Sequence, residues 1–421
     1  MSNAVLDMPT GELFDDTENV IDDELLAMIE GMDVLKPDPA NAVLVPGELM
    51  DSADPSGLLY GYIRPDSGRH SILGWGGNEP IAALKTSCIG AIGVRPDWDF
   101  DLAIHGVVNG AGSVDFFLIS ADEAEHPVPL SVTRYYPKQD IFSRHLGLLE
   151  SNWLDNKTVV MCGCGSVGSC LSLHMARSGV GRFVLVDSDC FEIHNVCRHQ
   201  CNHTDLGKFK VDAVAERILQ INPKAEILKF YQLIQNVPRH EYANWFDPKN
   251  TIFVGTCDNR PGNAAACDIA YDLGASFLAL GFRARAWSGE IFVAIPDRKD
   301  ICYHCAFKTL IEEAQIEMSR NHLYMDAENP QQVAFVPGLD VDVEYGCTIA
   351  SKVLLDMLNR DQEGYVPRLL NSIGQYTVFS GTADRTGADA VWRKLLPQPL
   401  SMRSLPLSQL CRRCEHCLRN M

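Results

Sequence analysis

The stretch from residue 157 to residue 187 constrains the fold more than any other. Lys157–Met161 is a short apolar run of strand length. Gly163-Cys-Gly-Ser-Val-Gly168 follows almost at once, then a helical segment Ser169–Arg177, then a second apolar run, Arg182–Asp187. Strand, glycine turn, helix and strand in that order form a βαβ unit, whose strands run parallel and bury both faces. The alternation continues downstream. A helix is predicted at Val211–Ile221, a strand at Thr251–Thr256, a helix at Gly262–Leu273, strands at Phe277–Gly281 and Glu290–Ile295, and a helix at Cys347–Leu358. The expected fold class is therefore α/β, with a doubly wound, Rossmann-like, mostly parallel sheet. Polar, weakly periodic residues at 306–336 predict a mobile loop over a site. The tail, 361–421, reads as irregular up to a cysteine cluster.

Upstream the pattern differs. Leu58–Ile63, Leu102–Val108, Val114–Ile119 and Pro129–Tyr136 read as strands punctuated by Gly and Pro. The predicted organisation is an acidic flexible arm at 1–40, a strand-rich accessory domain at 41–136 and the α/β domain at 137–421. The middle segment carries no catalytic constellation, and its His105 stands alone. Residues 1–35 hold ten Asp and Glu and no Lys or Arg, a large part of a formal net charge of -19. Within the arm, Ile21, Leu25, Met28, Ile29 and Met32 share one helical face. That stripe either packs on its own domain or docks a partner.

An acidic chain without a basic stripe is poorly suited to gripping a phosphate backbone, which argues against nucleic acid as a partner. No uncharged apolar run reaches the roughly 18 residues that would span a membrane, and the N-terminus lacks the basic start and apolar run of a secretory signal. A cytoplasmic location is expected. Fifteen cysteines suit buried positions and a metal site in a reducing compartment better than a disulfide scaffold.

Gly163, Gly165 and Gly168 let the backbone turn tightly and approach a ligand, and the amides at the start of the next helix favour phosphate. Asp187, nineteen residues after Gly168, ends the next strand, where a carboxylate holds ribose hydroxyls. To this point a nicotinamide-dependent dehydrogenase fits equally well. The run from Asp187 through Asp189 and Asn195 to Arg198 is too polar and too specifically arranged for an ordinary crossover. Gly207-Lys-Phe-Lys210 then enters a helix, and Thr256-Cys-Asp258-Asn259 ends a strand. Together these give cations for a triphosphate, a carboxylate for ribose and another for Mg2+, which prefers carboxylate and phosphate oxygens.

These ordered motifs resemble the ThiF/MoeB/HesA superfamily, which includes ubiquitin-activating enzymes, over roughly residues 140–360. The resemblance implies an ATP-dependent adenylation domain. By that likeness Gly163, Gly165 and Gly168 cradle the nucleotide, Asp187 takes the ribose with Asp189 beside it, Asn195, Arg198 and Lys210 contact phosphates, and Asp258 holds Mg2+. Arg144, in Phe142-Ser-Arg-His, matches an upstream arginine that often reaches the phosphates of a neighbouring subunit, which implies a homodimer.

Cys302-Tyr-His-Cys305 and Cys411-Arg-Arg-Cys414-Glu-His-Cys417 supply two Cys-x-x-Cys knuckles, the ligand set of a structural Zn2+ site that would tie the tail to the sheet, with a redox pair or unrelated thiols as the rival readings. The resembled family commonly has this arrangement, and Cys411 and Cys417 compete as partner to Cys414. Thioester-forming members usually place a cysteine in or near the loop equivalent to 306–336, and this chain has none there. Cys347 reads as core, and Cys257 lies close to the nucleotide motif.

The expected activity is adenylation of the C-terminal glycine carboxylate of a ubiquitin-like protein, for transfer to a conjugating partner enzyme. The N-terminal extension favours a conjugation pathway like those of bacterial ubiquitin-like operons. Activation of a sulfur carrier, a tRNA-modifying dehydratase and a nucleotide-binding adaptor without turnover are the rival readings.

Overall fold

The structure is a computed structural model. It describes residues 41–77, 82–96, 98–122, 126–150, 152–242, 245, 247–283, 286–298, 300–308, 310–311, 338–382 and 394–407. The arm at 1–40 with its apolar stripe, most of the loop expected at 306–336, and Cys411, Cys414 and Cys417 lie outside the described residues. The described chain divides into two units, the first ending at Tyr135 and the second taking in Tyr136 onward together with the short segment around Ala82–Lys85.

The first unit is built on one sheet of β1 (Ala42–Pro46), β2 (Gly57–Tyr62), β3 (Arg69–Trp75), β4 (Ser87–Ile92), β5 (Leu102–Val108), β6 (Val114–Ser120), β7 (Val128–Pro129) and β8 (Ser131–Tyr135), with a single helical turn, α1 (Gly47–Met50), after β1. The spatial order is β7-β6-β5-β4-β2-β3-β1-β8. β1 runs parallel to β3 and β8, and β4 parallel to β5, while the remaining pairs are antiparallel. One face closes on Val43, Val45, Leu59, Ile72, Ile104 and Phe116. The sequence reading found β2, β5, β6 and β8 but not β1, β3 or β4. Glycine accounts for β4: a Cβ on Gly90 would collide with the Ile104 carbonyl, so the strand carries a residue of low strand propensity where two backbones meet.

The second unit opens with α2 (Pro137–Ile141) and a 3-10 turn at Ser143–His145. It then alternates β9 (Thr158–Cys162), α3 (Ser166–Ser178), β10 (Arg182–Val186), α4 (Lys210–Ile221), β11 (Glu226–Phe230), β12 (Thr251–Gly255), α5 (Arg260–Asp272), β13 (Ser276–Phe282), β14 (Ser288–Ala294), α6 (Asp340–Leu358), β15 (Tyr376–Ser380) and β16 (Ser401–Leu405). The sheet order is β11-β10-β9-β12-β13-β14-β15-β16. β11 through β13 are parallel and β13 through β16 antiparallel. The α/β, mostly parallel, doubly wound architecture read from the sequence is therefore the one observed.

Strand side chains alternate between two apolar layers. Val159, Met161, Phe183, Leu185 and Val254 face α3, α4 and α6. Val160, Cys162, Val184, Phe253 and Phe277 face the layer built on α5. Burial on both faces makes β9 and β12 apolar after their first residues, Thr158 and Thr251, which is why the sequence exposed them so readily.

Two differences from the sequence reading have physical reasons. α6 starts at Asp340 rather than Cys347 because its first turns are polar, with Asp340 and Asp342 near the positive end of the helix dipole. The tail is not irregular before its cysteines: β15 and β16 extend the sheet antiparallel to β14. β16 is an exposed, largely polar strand and leaves no apolar alternation to read.

Candidate active site

The site is built where β9, β10 and β12 end. β9 runs into Gly163, whose φ of 105° is open to glycine but strained for other residues. A Cβ on Gly168 would collide with the Gly163 carbonyl, so the third glycine lets α3 close onto the strand. A Cβ on Gly165 would meet nothing within 4 Å. The backbone around Gly165 therefore borders open space at the N-terminus of α3, a 13-residue helix whose first amides point that way.

The glycine turn is held from three sides. The Thr256 hydroxyl, just beyond β12, donates to the Gly163 carbonyl at 2.7 Å. The Cys164 amide donates to Asp187 Oδ2 at 2.7 Å, while Asp187 Oδ1 accepts from the Asp189 amide at 2.8 Å. His199 Nε2 lies 2.8 Å from the Cys164 carbonyl oxygen. Burial pushes the Asp187 carboxyl above its ordinary range, and the two amides and nearby Lys210 oppose that shift. A carboxylate has about four acceptor positions, so the two bonds made here leave room for ribose hydroxyls.

Lys210 begins α4, and its Nζ lies 2.8 Å from Asp189 Oδ2. Burial pulls its pKa down, but Asp189, Asp187 and Asp258 together outweigh burial and raise it, so Lys210 is held as an ammonium ion. Three acidic residues from the ends of β10 and β12 thus bear on one lysine. Asp258 itself is exposed, and its Oδ1 accepts from Asn259 Nδ2 at 3.0 Å. The N-cap of α5 is Asn259, whose Oδ1 accepts from the Gly262 amide at 2.8 Å. Asp258 is thereby not spent on capping, and an exposed carboxylate beside a cationic, glycine-lined edge fits a divalent cation with phosphate co-ligands.

Asn195 ends a 3-10 turn, and its Oδ1 accepts from the Glu192 amide at 2.9 Å. The Arg198 guanidinium lies beside Gly338, ahead of α6. Arg144 takes no part in these contacts. Its turn is anchored by Phe142, whose ring lies 3.7 Å from where a Gly179 Cβ would be, and Gly179 caps the far end of α3. Thirteen helical residues put that anchor about 20 Å from the glycine turn of the same chain.

Cys347 is fully buried in the core, and hydrogen bonding with Cys170 together with burial holds its thiol well above the ordinary range. Burial, with Asp258 next, pushes the Cys257 thiol up to about 12. Cys190 and Cys197 are exposed on the loop between Asp187 and Lys210, and the sequence reading gave neither a role. Cys302 is buried, and its Sγ accepts from the Cys305 amide at 3.5 Å. An amide aimed at a cysteine sulfur suits a thiolate ligand. Among the described residues no group of three or more His, Cys, Asp or Glu side chains forms a metal site.

The sequence reading missed His199 and did not interpret Thr256. Both hold a turn more than 30 residues upstream, and only the adjacency of His199 to Arg198 hinted at it.

The profile of the ThiF family matches residues 139–351. The maize protein named adenylyltransferase and sulfurtransferase MOCS3-1 is 29% identical over 178 residues, 40% of this chain and 36% of its own. The Dictyostelium discoideum protein named ubiquitin-like modifier-activating enzyme 5 is 27% identical over 158 residues, 36% of this chain and 41% of its own. The Bacillus subtilis protein named tRNA threonylcarbamoyladenosine dehydratase is 47% identical over 77 residues, 18% of this chain and 30% of its own. The chain thus spans between 30% and 41% of the lengths of these three relatives. Among the described residues no helix is long and apolar enough to cross a membrane.

Proposed function

Because this chain belongs to the ThiF family, we propose that it adenylates a carboxylate with ATP, and that the carboxylate is the C-terminal glycine of a ubiquitin-like protein. The observation that carries this reading is the convergence on Lys210. Asp187 and Asp189 from the end of β10, and Asp258 from the end of β12, all raise its pKa, beside a glycine turn open to ligand at Gly165.

A carboxylate is a poor acyl donor because its leaving group would be oxide. Attack of its oxygen on the α-phosphorus of ATP forms the acyl-adenylate and expels pyrophosphate. No side-chain nucleophile is required; the protein positions two anions and neutralises charge in the transition state. Lys210, Arg198 and Asn195 would contact phosphate oxygens, the amides at Gly165 and the start of α3 the phosphate nearest the sheet, and Asp187 the ribose, with Asp189 orienting Lys210. Asp258 would hold Mg2+, which supplies charge neutralisation on the phosphates. Cys302 and Cys305 would supply half of a structural Zn2+ site, completed by Cys414 with Cys411 or Cys417.

A ubiquitin-like substrate follows from the shape of the task, since a thin glycine-ended tail can thread to the α-phosphate. A conjugating enzyme would then receive the acyl group. The overall charge of -19 weighs against tRNA, and the B. subtilis likeness covers only 18% of the chain.

The test is pyrophosphate exchange into ATP, with Mg2+ and a small glycine-ended protein. The wild type should exchange only when that protein is present. Asp258→Ala should lower the rate at least about a hundredfold, the scale of losing one charge-stabilising group. Asp258 is exposed and does not cap α5, so the variant should melt normally. Exchange supported by tRNA and not by the protein would replace the substrate assignment, and full exchange by Asp258→Ala would end the magnesium assignment.

A further inference from the structure

We propose that His199 is a positioning residue for the nucleotide, a neutral imidazole that latches the Asn195–Arg198 segment to the glycine turn. The inference rests on the nucleotide-binding reading above and adds a residue to it.

His199 is 6% exposed, and both of its ring nitrogens are engaged. The Cys201 amide points at Nδ1 from 3.1 Å, and Nε2 lies 2.8 Å from the Cys164 carbonyl oxygen. A backbone amide only donates and a carbonyl only accepts, so Nδ1 must be the bare nitrogen and Nε2 must carry the hydrogen. The arrangement has one tautomer and no place for a second proton, because a hydrogen on Nδ1 would face the Cys201 N–H. Burial, foremost, depresses the ring pKa to about 4. The charged groups that act on the ring are Lys210, which depresses it further, and Asp205, which opposes the shift. The edge of the ring meets Phe191 at 4.9 Å between centroids.

What the latch holds is informative. Cys164 is the residue between Gly163 and Gly165. Its amide is fixed by Asp187 and its carbonyl by His199. The two glycines beside it have the widest backbone freedom of any residues, so these tethers add to the Thr256 bond on Gly163 in fixing where the amides beyond them point. His199 also follows Arg198 directly, so anchoring the ring fixes the backbone from which the arginine reaches out. One side chain thereby sets the spacing between the turn that would cradle phosphate and the loop that would contact it.

The experiment compares ATP affinity, by calorimetry at pH 7.5, for the wild type, His199→Gln, His199→Leu and Gly165→Val. Glutamine offers one N–H donor and one carbonyl acceptor and can mimic the latch; leucine fills the space without hydrogen bonds. His199→Gln should bind ATP within about threefold of the wild type, and His199→Leu at least about tenfold more weakly, the scale of leaving a buried hydrogen bond unmade. Thermal melting without nucleotide monitors folding, and if leucine melts early, the glutamine variant compared with His199→Met at a temperature where both are folded carries the same contrast. Leucine or methionine binding as tightly as the wild type, or glutamine binding as weakly as leucine, overturns the latch alone. Gly165→Val puts a side chain into the open space over the turn and should abolish binding without unfolding the chain. Unchanged affinity in that variant overturns the nucleotide site and the latch with it.

Discussion

At the scale of single residues, the depressed pKa of His199 makes a prediction about stability that is independent of any substrate. An unfolded histidine takes up a proton near pH 6.5, whereas the folded ring, desolvated and facing the Cys201 amide, resists until about 4. Between those values the unfolded chain binds more protons than the folded one, so stability falls as pH falls. The contribution is complete above about pH 6.5 and is lost progressively toward pH 4. Urea denaturation at pH 7.5 and pH 4.5 should show the wild type losing roughly 2.5 kcal/mol more than His199→Gln. Other acid-sensitive groups, including His70, His105 and His145, are common to both proteins and cancel in the difference. Equal losses would mean that the ring is not buried neutral. The glycines and Asp187 were legible because their roles are local: a tight turn, a helix start, a strand end. His199 and Thr256 were not, because a lone histidine or threonine acquires its role only when the fold brings it to a distant carbonyl.

At the scale of elements, the central parallel strands were legible because burial on both faces leaves a run of apolar residues with no alternation to interpret. β11 and β16 are short, half-exposed and polar at several positions, and the sequence reading passed over them. The end of α6 shows how such irregular stretches are nonetheless pinned. Asp356, fully buried in the last turns of α6, accepts from the amides of Arg368, Leu369 and Leu370 and from the Tyr365 hydroxyl. Asp356→Ala would leave these donors unmatched and should cost roughly 3–5 kcal/mol in chemical denaturation. A loss below about 1 kcal/mol would show that water replaces the carboxylate. The knuckle at Cys302–Cys305 is the other element with a checkable role. Protein purified under reducing conditions without chelator should carry about one zinc per chain. Cys305→Ser and Cys414→Ser should each release it, and of Cys411→Ser and Cys417→Ser only one should. Finding no zinc by elemental analysis removes the site.

At the scale of the whole molecule, the position of Arg144 bears on how many chains make one site. Its turn is anchored at the far end of α3, about 20 Å from the glycine turn and further than an arginine side chain spans. Arg144 is exposed, and among the described residues its side chain has no hydrogen-bond or ion-pair partner. Beside it Ile141, Leu146 and Leu148 are also exposed, apolar positions that a second copy of the chain could cover. We therefore expect a homodimer with two-fold symmetry, in which Arg144 of one protomer serves the phosphates bound by its partner. Mixing two inactive variants separates this from a monomer. Pair an Arg144→Ala chain with an Asp258→Ala chain. In the mixed dimer one site receives an intact Asp258 from its own chain and an intact Arg144 from the other, while the second site lacks both. Random exchange of equal amounts makes half the dimers mixed, so pyrophosphate exchange should recover to about a quarter of the wild-type rate. A monomeric enzyme gives no recovery at any ratio, because each chain keeps its own defect. Light scattering that shows a dimer, with exchanged subunits and no recovered activity, would leave the dimer standing and remove the shared arginine from the site.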